Sequence, residues 1–80
     1  MRNTLSKSTV NGHAVLVQAA DDNGREYGYG RYINGVVGGV IEASETLPMD
    51  AAQADIDAAA ARIAKRAAHI AGNLPTNYAA

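Results

Sequence analysis

The sequence predicts an α+β domain, a three- or four-stranded antiparallel β-meander with one long C-terminal α-helix packed on one face. Two observations predict this fold. Asn-Gly pairs at 11–12, 23–24 and 34–35 separate segments with strand-like alternation, and Asn-Gly is the strongest short signal for a two-residue hairpin turn. The segment 50–71 is instead rich in alanine and other strong helix formers.

The Asn-Gly pairs set the predicted strand boundaries. We expect strands at about 4–10, 13–21, 25–33 and 36–44. The first segment, "TLSKSTV", alternates only with small polar residues, so it is either an edge strand or a loose tail.

The helix is expected to begin at Asp50, which fits a capping box with Gln53, and to end at Gly72, before Pro75. Its apolar stripe combines large residues with alanine. The stripe consists of Met49, Ile56, Ile63 and Ile70, with Ala52, Ala59, Ala60 and Ala67 between them.

Taking Asn23-Gly24 and Asn34-Gly35 as turns fixes a strand register, in which Gln18 lies opposite Tyr29 and Leu16 opposite Arg31. The face predicted to be free of the helix carries Ala14, Leu16, Gln18, Arg25, Tyr27, Tyr29, Arg31, Ile33, Val36 and Val40. The face predicted to lie under the helix carries Val15, Val17, Ala19, Gly28, Gly30, Tyr32, Val37, Gly39, Ile41 and Ala43. Glycines on the second face would let the alanine-rich helix approach closely, so Gly30→Val is expected to force the two layers apart.

The composition of the chain limits the classes of function that the sequence predicts. The chain has 80 residues, which predicts one domain with a thin core and little room for a deep cavity. It has no cysteine, a net charge of -1 and no apolar run long enough to span a bilayer. The N-terminal "MRNTLSKSTVNG" lacks the apolar stretch of a signal peptide, so we expect a soluble cytoplasmic protein without membrane contact.

No pattern of residues indicates catalysis or a cofactor. "GYGRYI" begins as Gly-x-Gly, but Ile33 replaces the third glycine of a dinucleotide loop and no helix follows. His13 and His69 lack metal-ligand spacing with each other or with a carboxylate. The serines lack a nucleophile-elbow context. We therefore expect a non-enzymatic protein with no catalytic residue, no metal and no cofactor.

Two surfaces are predicted to bind a partner. The first is an acidic pole at the Asn23 end of the sheet, formed by Asp21, Asp22, Glu26, Glu42 and Glu45. The second is the face free of the helix, where Arg25, Tyr27, Tyr29 and Arg31 combine residue types that are enriched at binding hot spots. An exposed apolar sheet face also fits a homodimer contact or cover by a chain tail.

The segments "ADDNGREYGYGRYINGVVGGVIEASE" and "DAAQADIDAAAARIAKRAAHIAG" together resemble, in architecture, the small bacteriophage-encoded anti-CRISPR proteins. The resemblance covers most of the chain but rests on no defining motif. It implies a non-enzymatic inhibitor that docks on a subunit of a CRISPR effector complex in the host cytoplasm. The acidic residues would then face basic DNA-binding surfaces of the effector.

A three-stranded sheet backed by a helix also resembles the arm-binding domains of phage integrases, which place the sheet in the major groove of DNA. The resemblance implies that Arg25, Tyr27, Tyr29 and Arg31 read the DNA. Direct nucleic-acid binding is the less favoured alternative, because two arginines near Asp22 and Glu42 supply few phosphate contacts.

Overall fold

The computed structural model describes residues 2–23 and 29–78, without the side chains of Arg2, Asp22, Asn23 and Tyr29. The strands are β1 (Arg2–Val10), β2 (His13–Asn23), β3 (Tyr29–Val37) and β4 (Val40–Leu47), and the helix is α1 (Gln53–Asn73). The strands form one antiparallel sheet in the order β1-β2-β3-β4, and α1 packs on one side of it, mainly against β2, β3 and β4. The predicted α+β architecture is confirmed.

The first Asn-Gly pair forms the predicted turn. Asn11 and Gly12 have positive φ angles of 55° and 79°, and they join β1 to β2 with Val10 paired to His13. Positive φ at both central positions is what a type I′ hairpin turn requires. The first segment of the chain is therefore a strand and not a loose tail.

Both edge strands of the sheet are irregular. In β1 the register shifts between Thr4 and Ser6, and along β4 it shifts where β3 passes from Gly35 to Val36. Bulges of this kind twist an edge and make it a poorer template for pairing with another strand. The sheet is thus closed to regular edge-to-edge extension at these two places.

The second Asn-Gly pair does not act as the predicted two-residue turn. Gln18 pairs with Asn34 and not with Tyr29, and β2 and β3 are paired as far as Asn23 and Tyr29. Residues 24–28 lie outside the described part of the chain. The register differs from the predicted one by five residues, and an odd shift moves every side chain of β3 to the opposite face.

The third Asn-Gly pair lies inside β3, and the predicted turn there is wrong. The turn between β3 and β4 is formed by Gly38 and Gly39, whose φ angles are 58° and 86°, with Val37 paired to Val40. Two glycines adopt positive φ at the lowest steric cost. The Gly-Gly pair therefore supplies the turn, and Gly35 is left in the strand.

The helix begins three residues later than the capping-box pattern predicts. Its N-cap is Ala52, which makes no side-chain capping bond, and a turn closed by the Ala51 N–H and the Pro48 carbonyl at 3.0 Å precedes it. The helix continues to Asn73, so Gly72 lies inside its last turn. Its 21 residues are one fewer than the predicted segment 50–71 contains.

The buried stripe of α1 follows a spacing of three and four residues. Its members are Ile56, Ala59, Ile63, Ala67 and Ala71. The predicted stripe is wrong at both ends, because Met49 precedes the helix and is 44% exposed, and Ile70 is only half-buried. A 3.6-residue period drifts away from a strict seven-residue repeat, which turns Ile70 partly away from the sheet.

The core lies between α1 and the central strands. Ile33, Ile63 and Val17 are its largest fully buried side chains. Ile33 was predicted on the face free of the helix, and the register of β3 places it under α1 instead. A second cluster continues the core toward the end of α1 and consists of Val15, Val37, Ala67 and Ala71.

Gly35 lies directly against α1. A Cβ atom added to Gly35 would lie 2.9 Å from Ile63 Cγ2 and 3.1 Å from Ala67 Cβ. The prediction that Gly30 and Gly39 lie against the helix is wrong, since a Cβ on Gly30 would meet Thr46 Cγ2 at 3.2 Å and one on Gly39 meets no atom within 4 Å. Gly28, the third predicted glycine, lies outside the described residues.

The segment after α1 is fastened to the first hairpin turn. Asn11 Nδ2 donates to the Leu74 carbonyl at 2.8 Å, and Thr76 Oγ1 donates to Asn11 Oδ1 at 2.8 Å. The Asn77 N–H also donates to the Asn11 carbonyl at 3.1 Å. One turn residue therefore holds a segment for which the sequence predicts no regular structure.

Gly35→Val is expected to lower the free energy of unfolding by about 1–3 kcal/mol, the usual cost of overpacking a filled interior. Ile63 and Ala67 would have to move, and α1 with them. Urea unfolding followed by circular dichroism measures the change.

Gly72→Ala is the matched control, because its Cβ would meet only Val10 Cγ1, at 3.9 Å. Alanine favours a helix over glycine by up to about 1 kcal/mol, so this variant should be as stable as the wild type or more stable. Equal midpoints for Gly35→Val and the wild type would contradict the packing of α1 on β3.

Candidate functional site

Arg31 and Asp21 lie on the helix side of the sheet, so the predicted position of Arg31 on the opposite face is wrong. The two residues are direct cross-strand partners of β2 and β3. Arg31 Nε lies 2.7 Å from Asp21 Oδ1, and Nη2 lies 3.4 Å from Oδ2. The hydrogen bond from Arg31 lowers the pKa of Asp21 below its usual 3.8. This carboxylate is therefore a poor general base.

An open cleft of about 430 Å³ surrounds this ion pair, between the first turn of α1 and the adjacent strands. It is lined by Asn3, Leu5, Ala19, Asp21, Arg31, Gln53 and Ile56. Its two charged groups neutralise each other, and the lining contains no serine, cysteine or histidine to act as a nucleophile or base. The cleft gives no support to a catalytic role.

Glu45 forms the second described ion pair. Arg62 of α1 holds it with both nitrogens of one side, Nε to Oε2 at 2.9 Å and Nη2 to Oε1 at 2.8 Å. These hydrogen bonds, together with the charges of Arg62 and Arg66, lower the pKa of Glu45 below its usual 4.5. Glu45 thus fastens β4 to the helix.

Of the predicted acidic pole, the described residues Asp21, Glu42 and Glu45 do not form a single cluster. Glu42 lies in β4 between Ile41, the partner of Val36, and Ala43, so it is nearer the Gly38-Gly39 turn than the Asn23 end. The charges of Asp21 and Glu45 are each matched by an arginine. The error in position follows from the displaced turn between β3 and β4.

The remaining predicted binding residues are only partly placed. Arg25, Glu26 and Tyr27 lie outside the described residues. Asp22 pairs with Gly30 and Tyr29 pairs with Asn23 along the backbone, and their side chains are outside the described part as well. Partner binding by these residues stays a prediction.

The side of the sheet away from α1, which we call the helix-free face, carries three cross-strand rows that run through all four strands. Side chains alternate along a strand. Val17 and Ile33 are buried under α1, so the residues next to them in the chain point to this side. The polar row is Thr4, Gln18, Asn34 and Ser44. The apolar row is Lys7, Leu16, Val36 and Ile41. The described part of the third row is Ala20, Tyr32 and Thr46.

The rows differ in the hydrogen-bonding groups and apolar side chains that they expose. In the polar row Ser44 Oγ donates to Asn34 Oδ1 at 2.7 Å, which orients the Asn34 amide. In the apolar row Ile41, on the edge strand β4, is 53% exposed, whereas Val36, which lies between Leu16 and Ile41, is 7% exposed. Lys7 is the one charged side chain among the described members of these three rows.

Tyr32 and Asn34 belong to this face, although the sequence register places Tyr32 under the helix and Asn34 in a turn. The signal that could have placed them is the alternation in "RYINGVV", read as one uninterrupted strand. Ile33, Gly35 and Val37 then fall on one side, and Tyr32 and Asn34 on the other. Arg31 faces the helix, so it is not one of the residues that could read DNA from the helix-free face, which is the role that the resemblance to integrase domains implies.

Each of the two histidines makes a polar contact near the C-terminal end of the described chain. His13 Nε2 lies 2.7 Å from the Pro75 carbonyl oxygen, and His69 lies 3.3 Å from the amide of Asn73. Among the described residues, no three His, Asp or Glu side chains are close enough to hold a metal ion. Within residues 2–23 and 29–78, no helix is long and apolar enough to cross a bilayer.

Acid is expected to remove the stabilisation that Glu45 provides. Because Arg62 lowers the pKa of Glu45 in the folded state, its contribution is complete above the usual pKa of 4.5 and is lost as the pH falls through the lower folded value. Glu45→Gln should therefore be less stable than the wild type at pH 7, and the difference should shrink in acid. Urea unfolding from pH 7 to about pH 2.5 measures it.

The matched control is Glu42→Gln in the same strand, which is expected to change the stability at pH 7 less than Glu45→Gln does. A difference between Glu45→Gln and the wild type that is unchanged across the acid range would show that the ion pair does not stabilise the fold.

No protein-family model matches the chain, and comparisons with curated proteins and with solved structures find no match either.

Proposed function

We propose that the protein is a non-enzymatic interaction module that binds a protein partner through its helix-free face. The single observation that carries this proposal is the composition of that face. A row containing Leu16, Val36 and Ile41 lies beside a row of uncharged hydrogen-bonding side chains. Apolar contacts supply affinity at an interface, and oriented polar groups supply specificity.

The distribution of charge supports the same surface. Arg31 and Arg62 on the helix side are already engaged with Asp21 and Glu45. A partner at the acidic residues would have to compete with these short contacts. At the helix-free face, a protein surface would displace water from apolar groups and break no described ion pair.

The narrower role that we propose is inhibition of a nucleic-acid-targeting effector complex, as the resemblance to anti-CRISPR proteins implies. It is supported by the small size and the sheet-plus-helix fold. In this role the helix-free face docks on an effector subunit, and the protein acts by occupying a surface that the effector needs for DNA binding or nuclease recruitment.

Site-specific photocross-linking tests the docking surface. A benzoylphenylalanine at Gln18, in the polar row, should cross-link to another protein chain in cells that express the protein. The same group at Ala58, on the exposed side of α1, is the matched control and should give markedly fewer cross-links. Equal yields from both positions, or none from Gln18, would contradict the proposed surface.

An inhibition assay tests the narrower role. Target-DNA cleavage by a panel of purified CRISPR effector complexes should fall when the protein is present in excess over at least one of them. Ile41→Arg, which places a charge in the apolar row, should restore cleavage, whereas Ala58→Arg should not. Full cleavage by every complex in the presence of the protein would end this role and leave the broader proposal standing.

A further inference from the structure

We infer that the partner of the helix-free face is a second copy of this chain, related by a two-fold axis that runs parallel to the strands between β2 and β3. This inference rests on the broader part of the proposed function, that a protein partner binds the helix-free face, and it replaces the effector subunit of the narrower role as the occupant of that face. Two helix-free faces would pack as the inner layers of a β-sandwich, and both α1 helices would lie outside.

The symmetry determines which residues meet. An axis parallel to the strands keeps each cross-strand row opposite its own copy but reverses the order of the strands, because both sides of a two-fold interface use the same patch. Leu16 then faces the partner's Val36, and Gln18 faces the partner's Asn34. In the third row Ala20 faces the partner's Tyr32.

These opposed pairs are chemically matched. The apolar row meets the apolar row, and an amide that can donate and accept meets another such amide. A small side chain meets a large one at Ala20 and Tyr32, as interdigitating sheet layers require. Lys7 lies at the rim opposite the partner's Ile41, so the described rows bring no two like charges together.

A two-fold axis perpendicular to the strands matches less well. It would exchange the first and third rows, so that Leu16 faces the partner's Ala20 and Ile41 faces the partner's Thr46. Gln18 would face its own copy in the partner. The apolar row would then lie against a row in which Tyr32 and Thr46 carry hydroxyl groups.

The size of the face predicts a weak dimer. Four strands about 4.8 Å apart and eight residues of about 3.3 Å each give a face of about 500 Å². Two such faces bury about 1,000 Å² in total, which is at the lower limit for a specific interface. We therefore expect a reversible dimer whose population rises with concentration.

Solution mass, measured by light scattering and sedimentation equilibrium over a concentration series, tests the inference. The wild type should pass from monomer to dimer. Gln18→Lys and Asn34→Asp should each weaken the dimer by about tenfold or more, because each places a charge opposite a neutral amide. Asn34→Asp keeps the acceptor for Ser44 Oγ, so it should remain folded.

An equimolar mixture of Gln18→Lys and Asn34→Asp tests whether the two-fold axis runs parallel to the strands. In the inferred arrangement the introduced lysine faces the introduced aspartate of the partner, and the wild-type amide pair occupies the other side of the axis. The mixture should therefore form a dimer more tightly than either variant alone. Ala61→Lys and Ala58→Asp, on the exposed side of α1, are the matched controls and should leave the wild-type association unchanged.

A wild type that stays monomeric throughout the concentration range would overturn the inference, as would a mixture no tighter than its components. If the monomer still cross-links to a different protein from Gln18, the proposed docking surface survives without self-association. If the wild type dimerises and both the loss and the rescue occur, the second copy is the occupant.

Discussion

The close approach of α1 to β3 at Gly35 is the constraint on which the rest of the structure depends. Ile63 and Ala67 occupy the space that a side chain at this position would need. Gly35 must therefore lie in a strand, on the side under the helix. Once it does, Ile33 and Val37 share its side, and the hydrophobic core is complete.

The same constraint divides the polar residues between the two sides of the sheet. Arg31 comes to the helix side beside Asp21, and Glu45 comes within reach of Arg62. These four charged groups are consequently paired in short contacts. Tyr32 and Asn34 move to the other side, where they join uncharged neighbours from β2 and β4.

This division explains why we propose the helix-free face as the surface for association. A thin two-layer domain covers one side of its sheet and leaves the other exposed to solvent, and polar side chains make that exposure tolerable. Here the polar row serves that purpose, while the row with Leu16 and Ile41 retains apolar surface at one end. The face therefore suits reversible association better than permanent burial.

The sequence by itself determined the fold class, the first hairpin turn and the approximate length of the helix, whereas it left open whether the sheet has three strands or four. Each of these depends on local signals, such as positive φ at Asn11-Gly12 and the helix propensity of the alanine-rich segment. Only the tertiary structure decided whether Asn34-Gly35 or Gly38-Gly39 forms the third turn, because both pairs satisfy the local requirement. The packing of Ile63 against Gly35 resolves that choice, and the faces of Arg31, Tyr32 and Ile33 follow from it, since a shift of an odd number of residues exchanges the two sides of a strand.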